Sequence, residues 1–239
     1  MTYAMSDIHG CYDQYKQMLK KINFNNQDTL YVLGDIINRG PHPVELLTDM
    51  SMQANIIPLM GNHEYVAYFL FKQLLLLEIT EENINKHLGS EHDIEAFTKD
   101  IINFTEINGG GPTLQGFGKL SNDERMYLLE YMEDFLLYKM LVVNGKKYIL
   151  THAGLPKGAT MKNLDSFDAF DFATAKTDYS KEYFKDIFLV TGHKPTGAIN
   201  KQYHGRIYRK YNHIAIDTAA AFGGKLSCIC LNTDEEFYI

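Results

Sequence analysis

The stretch Gly34-Asp35-Ile36-Ile37-Asn38-Arg39-Gly40 follows directly on a short apolar, β-rich run at residues 30–33, LYVL. A run of this kind bounded by glycine is typical of a buried strand, and the polar side chains come at the point where that strand ends. Glycine lets the chain turn sharply off the strand, because it adopts φ values that other residues resist. The stretch therefore predicts a strand that presents a carboxylate and other polar groups at its carboxyl end.

Four further clusters repeat this arrangement. They are Ser6-Asp7-Ile8-His9-Gly10, Gly61-Asn62-His63-Glu64, Thr151-His152-Ala153-Gly154 and Thr191-Gly192-His193-Lys194, and they follow apolar runs at residues 3–5, 56–60, 148–150 and 187–190. Ligand sites of open α/β sheets lie outside the carboxyl ends of the strands, so five clusters can converge there. A single cluster is more often an ordinary turn or helix cap, and it is the ordered set of five that predicts one site.

The chain between the third and fourth runs has a different pattern. Strand signals stop between Tyr65 and Met140, where helical periodicity appears at residues 66–77 and 94–107 and a capping box opens at Ser121. The glycines and proline of residues 108–112 predict a loop. We expect a single domain over residues 1–239, with a helical cap insertion at about 65–140.

Apolar runs alternating with helical periodicity indicate an α/β architecture. The tail from Arg206 to Ile239 returns to strand-like runs at residues 214–216, 226–231 and 237–239. We expect this tail to supply a second sheet.

Composition excludes several classes of partner. The net charge is -7, and the arginines are Arg39, Arg125, Arg206 and Arg209. A surface that tracks a nucleic-acid backbone needs clustered basic residues, so no nucleic-acid partner is expected. The first residues lack a signal-peptide pattern, and the most apolar stretch, residues 69–77, is broken by Lys72 and Gln73, so no membrane span is expected either.

The three cysteines, Cys11, Cys228 and Cys230, form an odd set without a paired framework. Thiols of this kind are expected to stay reduced, which favours a cytoplasmic protein.

Carboxylates, an amide and imidazoles without cysteine favour Mn²⁺, Fe or Zn²⁺ over a thiolate-held structural zinc. Two such ions roughly 3.5–4 Å apart would share a bridging carboxylate, and they would ionise a bridging water for in-line attack on phosphorus. Asp35 is our choice for the bridge.

The five clusters in this order resemble the signature of the phosphoprotein phosphatase family within the calcineurin-like metallophosphoesterases. The resemblance implies a four-layer αββα sandwich of two mixed sheets flanked by helices. It also implies that Asp7, His9 and Asp35 bind the first metal. Asp35, Asn62, His152 and His193 would bind the second.

The same resemblance implies roles around the phosphate. Arg39 would bind the phosphate oxygens through its planar guanidinium, and His63 would protonate the leaving oxygen as a general acid. Asn38 stands where the family usually has an aspartate that orients this histidine. Eukaryotic members also supply a second arginine from between the last two metal histidines, but residues 153–192 contain none. Lys194 and Arg206 are the candidates for this cation.

The leading hypothesis is hydrolysis of phosphate monoesters by a metal-bridging hydroxide, with Mn²⁺ as the favoured ion, by a serine/threonine protein phosphatase acting on phosphorylated proteins. The alternative is a symmetrical diadenosine tetraphosphate hydrolase acting on a dinucleotide, because the Asn108-Gly109-Gly110 loop followed by Thr113-Leu114 resembles that branch of the family. A third hypothesis, a metal-binding scaffold with little turnover, is motivated by Asn38.

Overall fold

The computed structural model describes residues 1–77 and 90–239, so the part of the predicted cap at residues 78–89 lies outside the described residues. The first half contains β1 (Thr2–Met5), α1 (Tyr12–Lys21), β2 (Thr29–Val32), α2 (Pro43–Ser51), β3 (Ile56–Pro58), α3 (Asn62–Leu77), α4 (Glu91–Ile102), a π-helical turn (Asn103–Ile107), α5 (Gly111–Gly118) and α6 (Asn122–Glu133). The second half contains β4 (Tyr138–Val143), β5 (Lys146–Thr151), α7 (Ala169–Ala173), β6 (Ile187–Thr191), α8 (Thr196–Ile199), β7 (Tyr208–Lys210), β8 (His213–Ala215), β9 (Ser227–Cys230) and β10 (Glu236–Tyr238). Single 3₁₀ turns occupy Leu164–Ser166, Lys201–Tyr203 and Ala220–Phe222.

The strands form two five-stranded sheets, in the orders β10-β9-β1-β2-β3 and β4-β5-β6-β8-β7. In the first sheet β1, β2 and β3 are parallel, β9 pairs antiparallel with β1, and β10 pairs antiparallel with β9. In the second sheet β5, β6 and β8 are parallel, while β4 and β7 pair antiparallel at its two edges. Both sheets are therefore mixed, as the sequence predicts.

The two sheets share a core. Buried side chains of the first sheet, such as Ala4 and Ile229, join one cluster with Leu150, Val190 and Ile214 of the second. Burial of this apolar surface is the main force holding the sheets together.

Helices cover the outer faces. On the first sheet, Met18 of α1, Leu46 of α2, Phe71 of α3 and Leu128 of α6 share a core with strand residues such as Val32. On the second sheet, Phe172 of α7 packs with Ile149 and Leu189. The order helix, sheet, sheet, helix confirms the predicted four-layer αββα fold.

The parallel pairing positions the site. Because β1, β2 and β3 point the same way, the clusters after them leave from one edge of the first sheet, and the clusters after β5 and β6 likewise leave from one edge of the second.

Three expectations need correction. The strand-free interval ends before Met140, because β4 begins at Tyr138, where it forms a hairpin with β5. The residue 108–112 segment is only partly a loop, since α5 begins at Gly111 with Pro112 in its first turn, where a missing N–H costs nothing. The tail serves both sheets, because β7 and β8 join the second while β9 and β10 pair with β1 in the first. Alternation along a strand does not reveal which sheet it joins.

All three cysteines are free thiols, two of them buried. Within the described ranges, no helix combines the length and the apolar character that crossing a membrane requires.

Candidate metal centre

The loops that carry the predicted site residues have unusual backbone conformations. Six non-glycine residues there have φ between 47° and 70° and so lie in the left-handed region, namely Asp7, His9, Asp35, Asn38, Arg39 and His193. Such conformations cost free energy in a non-glycine residue and persist only where surrounding contacts enforce them. Here the first two loops enforce each other, because the N–H of His9 donates to the carbonyl of Asp35 at 2.9 Å.

Two groups of potential ligands meet at Asp35. Donor atoms of His9, Asp35 and His63 lie within 4.8 Å of one another, and so do those of Asp35, His152 and His193. Nε2 of His9 is 3.4 Å from one carboxylate oxygen of Asp35, and Nε2 of His152 is 3.4 Å from the other. A carboxylate with one oxygen toward each group is suited to bridge two ions.

Two histidines are already oriented as ligands. Nδ1 of His9 donates to the carbonyl of Ile37 at 2.9 Å, and Nδ1 of His152 donates to the carbonyl of Leu33 at 2.6 Å. With the proton fixed on Nδ1, Nε2 of each ring is unprotonated and can offer its lone pair to a metal, which is the usual arrangement of a metal-binding histidine. Burial lowers the pKa of His9 to about 3 and that of His152 below its usual value, so both rings are neutral near pH 7.

Asn62 and His193 complete the second group. Oδ1 of Asn62 lies 3.0 Å from Nε2 of His152 and 2.9 Å from Nδ1 of His193, and these two histidine nitrogens are 3.2 Å apart. The family resemblance implied that all three residues, with Asp35, bind the second metal, and the structure brings them together.

Asp7 lies beside these groups but outside both. Its Oδ2 accepts the backbone N–H of His193 at 2.8 Å and the hydroxyl of Ser6. Burial, reinforced by the nearby carboxylates of Asp217 and Asp35, raises the pKa of Asp7 well above its usual value. Its role as a ligand of the first metal stays a prediction.

Asp217 is a site residue that the sequence analysis did not single out. It is buried, and burial raises its pKa to about 6. A sequence pattern could have identified it, because Asp217 follows the apolar run at residues 214–216 in the same way that each of the five clusters follows an apolar run.

Glu64 is a second residue whose role was missed. Its carboxylate is fully buried and accepts backbone N–H groups of Asp35 at 2.8 Å, Ile36 at 2.8 Å, Ile37 at 3.0 Å and Gly61 at 3.2 Å. Burial of the charge raises the pKa of Glu64, and the hydrogen bonds from the N–H groups of Ile37, Asp35 and Ile36 oppose that shift. Glu64 therefore ties the Asp35 loop to the start of α3, and the sequence holds no local signal of such a contact.

Arg39 is exposed at the mouth of the centre. Its Nη1 contacts Nε2 of His9, and its guanidinium carbon lies 4.7 Å from the ring centroid of Phe222. The N–H of Arg39 donates to the carbonyl of Gly109 at 2.7 Å, so the loop before α5 holds its backbone. The planar guanidinium can thus reach a phosphate group beside the ligands.

His63 is flanked by hydrogen-bond donors. Nδ2 of Asn38 lies 2.7 Å from its Nδ1, and Nη2 of Arg39 lies 3.1 Å from its Nε2. A neutral imidazole accepts at only one of its nitrogens, so only one of these contacts can be a hydrogen bond at a time. The contact that the sequence assigned to Asn38 is present, but the partner is a neutral amide.

Thr113 of α5 fixes the orientation of this amide. Its Oγ1 accepts the backbone N–H of Asn38 at 2.9 Å and donates to the Oδ1 of Asn38 at 2.7 Å. The amide nitrogen of Asn38 is consequently turned toward His63.

The two candidates for a second cation lie apart. Lys194 follows His193, and its ammonium lies 5.8 Å from the ring centroid of Tyr179 in the wall of a neighbouring cavity of about 390 Å³. Arg206 lines a different surface cavity with Arg209 and Glu236.

The residues fit a dinuclear divalent site. Burial and the neighbouring carboxylate of Glu64 raise the pKa of Asp35 well above its usual value, so the closely spaced acids need compensating positive charge. Neutral imidazoles with unprotonated Nε2 atoms, a carboxylate shared by both groups and an amide oxygen are ligands that divalent transition metals accept.

Comparison with known proteins agrees with this geometry. The model of the calcineurin-like phosphoesterase family matches residues 2–216. A symmetrical bis(5'-nucleosyl)-tetraphosphatase of Chromobacterium violaceum is 28% identical over 81% of this chain, but the chain spans only 56% of that protein. A protein of the same name from Neisseria gonorrhoeae is 26% identical, over 98% of this chain and 93% of its own length.

Two solved structures share the fold at 15% identity. One is titled a putative diadenosine tetraphosphatase and has a TM-score of 0.59, covering all of this chain and 92% of that one. The other is a serine/threonine phosphatase from Saccharomyces cerevisiae with a TM-score of 0.53, covering 97% of this chain and 72% of that one. The family match, which extends over most of the chain and includes every predicted ligand, establishes that this protein belongs to the calcineurin-like phosphoesterase family.

Proposed function

We propose that this protein is a metal-dependent hydrolase that cleaves a phosphoanhydride bond of a dinucleoside polyphosphate. The observation that carries the proposal is the partner of His63. The neutral amide of Asn38 occupies the position from which a carboxylate would stabilise a protonated imidazole, and Thr113 holds its nitrogen toward the ring.

The nature of the leaving group links this contact to the substrate. A serine or threonine alkoxide needs a proton as it leaves, so it depends on a histidine that readily holds one. A nucleoside phosphate leaves as a stabilised anion, so its departure depends far less on protonation by a histidine. His63 has hydrogen-bond donors at both nitrogens, and neither donor stabilises a protonated ring. This arrangement favours the anhydride.

The other residues have roles suited to either substrate. Bound divalent ions, for which Mn²⁺ is our proposed identity, would supply Lewis-acid polarisation of the phosphoryl oxygen and a water that ionises near neutral pH. Asp7, His9, Asp35, Asn62, His152 and His193 would hold them. Arg39 would bind and orient the phosphate, offsetting charge on its oxygens.

The names of the two relatives support the same choice, since both are called symmetrical bis(5'-nucleosyl)-tetraphosphatase. The sequence hypotheses placed a serine/threonine protein phosphatase first and the dinucleotide hydrolase second. The contact between Asn38 and His63 leads us to reverse that order. The protein phosphatase remains the second candidate, because Arg39 is exposed and open to a bulky substrate.

A direct comparison of substrates tests the proposal. Purified protein with Mn²⁺ would be offered diadenosine tetraphosphate, a phosphoserine peptide and p-nitrophenyl phosphate, each with and without chelator, and Asp35→Asn would serve as the inactive control. We expect kcat/KM for the dinucleotide to exceed that for the peptide by about two orders of magnitude, a difference of roughly 2.7 kcal/mol in barrier. A preference for the peptide would restore the protein phosphatase, and no chelator-sensitive turnover of any substrate would favour the scaffold.

A further inference from the structure

An exposed aromatic surface begins three residues after Asn62 on α3 and has no part in the mechanism above. It consists of Tyr65, Phe69 and Phe170, and we call it the aromatic rim. The ring of Tyr65 lies 5.0 Å from that of Phe69 and 5.7 Å from that of Phe170, measured between centroids. Phe69 is 51% exposed and Phe170 is 52% exposed. Large apolar side chains exposed together are unusual on a protein surface unless they bind something.

The position of the rim follows from helix geometry. Asn62, a predicted metal ligand, is the first residue of α3. Residues three and seven positions later lie on the same face of a helix, about 4.5 and 10.5 Å further along its axis. Tyr65 and Phe69 therefore continue the face of α3 that begins at the metal ligand. Helical side chains also lean toward the N-terminus, which brings both rings closer to Asn62.

Contacts with neighbouring residues hold the side chains of the aromatic rim in place. The ring of Phe69 packs edge-on against the buried Tyr68 at 5.2 Å. Phe170 belongs to α7, whose start is fixed by reciprocal hydrogen bonds between Asp168 and Asp171. A surface held in this way loses little side-chain freedom when a ligand binds.

The geometry of the rings suits a flat partner. Phe69 meets Tyr65 at 65° and Phe170 meets it at 54°, so the rings are inclined rather than stacked on each other. Half-exposed rings inclined in this way can each offer a face to a further ring. Nucleobases stack on aromatic side chains whatever their identity, because every base has a π-face.

We propose that the aromatic rim binds the nucleobase of a nucleoside polyphosphate whose phosphates lie at the metal centre. This inference rests on the proposed function, which supplies a substrate with phosphates at one end and a base at the other. In this inference Tyr65, Phe69 and Phe170 bind the base. We expect different bases to bind with similar affinity, because stacking does not depend on the hydrogen-bonding groups at the edge of the base.

Equilibrium binding measurements distinguish the contribution of the base to affinity from that of the phosphates. Calorimetric titration of Mn²⁺-loaded protein with ADP and with inorganic pyrophosphate gives two dissociation constants, and only ADP carries a base. We expect Phe69→Ala and Phe170→Ala each to weaken ADP binding by at least about fivefold, with pyrophosphate binding unchanged. Phe170→Trp should bind ADP at least as tightly as the wild type.

Met52→Ala is the matched control, because Met52 is a large apolar side chain that is 75% exposed at the C-terminal end of α2 and is not part of the rim. It should change neither constant. Equal weakening of ADP and pyrophosphate would mean that the substitutions disturb the centre itself, and unchanged ADP binding would mean that the rim does not contact the base. Either result overturns the inference.

A third titration addresses the alternative occupant. If a phosphoserine peptide with apolar flanking residues lost affinity in both variants while ADP did not, the rim would belong to a peptide site and the inference would be overturned. The proposed function is judged separately by turnover. Rim-dependent ADP binding without hydrolysis of diadenosine tetraphosphate would leave the base site standing and reject the proposed reaction.

Discussion

The buried carboxylate of Glu64 accepts the backbone N–H of Asp35 at 2.8 Å and thereby holds the residue that bridges both ligand groups. Three further backbone N–H groups, of Ile36, Ile37 and Gly61, donate to the same carboxylate. Glu64 thus supports the centre without belonging to either ligand group.

Glu64→Gln should destabilise the protein by about 1–3 kcal/mol, because the amide NH₂ would face N–H donors that then lose their acceptor. Urea denaturation of the metal-free protein measures the loss. Glu130→Gln, at an exposed position of α6, is the matched control and should be neutral. A Glu64→Gln variant as stable as this control would show that the four hydrogen bonds contribute little.

Asp35→Asn should abolish turnover, because an amide offers one oxygen where the bridge needs two. We expect metal analysis to find fewer ions per chain than in the wild type. Retention of more than about a tenth of the wild-type kcat, a loss of only ~1.4 kcal/mol in barrier, would contradict the bridging role.

Arg39→Lys should lower kcat/KM while leaving metal content intact. An ammonium is a point charge and cannot reproduce two parallel hydrogen bonds from a guanidinium to phosphate oxygens. Steady-state kinetics combined with metal analysis checks both halves of this prediction. If the ions are lost as well, the role of Arg39 is to position the metal ligands. Its contact with His9 is the basis for this alternative.

Asn38→Asp should speed hydrolysis of a phosphoserine peptide more than that of p-nitrophenyl phosphate. The new carboxylate could accept Nδ1–H of His63 and stabilise the protonated ring, and the hydroxyl of Thr113 could still donate to its second oxygen. Serine alkoxide needs the proton, whereas p-nitrophenolate leaves unaided. The alkaline limb of the pH–rate profile should move upward. Equal changes on both substrates, with an unmoved limb, would show that residue 38 does not tune His63.

Metal binding should release protons from carboxylates rather than from imidazoles. Burial raises the pKa of Asp35 and of Asp7, so these acids hold protons more tightly than usual in the metal-free protein. Burial lowers the pKa of His9 and His152, so both are already neutral. Ions need the ionised carboxylates, and apparent affinity must therefore fall as pH falls through the raised pKa values.

Calorimetric titration with Mn²⁺ in buffers of different protonation enthalpy measures the released protons directly. We expect proton release on binding, and an affinity that decreases as the pH is lowered. An affinity independent of pH, with no protons released, would show that the carboxylates are already ionised before the metal binds.

Much of the architecture was accessible from local pattern. Apolar runs followed by polar clusters predicted the strands that lead into the site, because a buried parallel strand needs apolar residues along its length and leaves its polar groups at its end. The family resemblance and the four-layer fold are both confirmed. The single-domain assignment and the roles of the site residues stay predictions.

The boundaries of the strands were harder to predict from the sequence. β4 lies at the edge of its sheet with the apolar side chains of Met140 and Val142 exposed, so no alternation of apolar and polar residues marks where it begins. The division of the tail between two sheets depends on pairing partners, which no local pattern encodes.

The sequence by itself determined the chemical types of the predicted ligands and the order in which the strands deliver them. Glycine also marked where the chain turns off a strand, as at Gly34, whose φ is 80°. Only the tertiary structure decided how the ligands are held. Thr113 orients Asn38 across 75 positions of sequence, and the rim joins Tyr65 to Phe170 from different layers. Contacts between distant segments form only when packing brings the segments together, and therefore leave no mark on the neighbouring sequence.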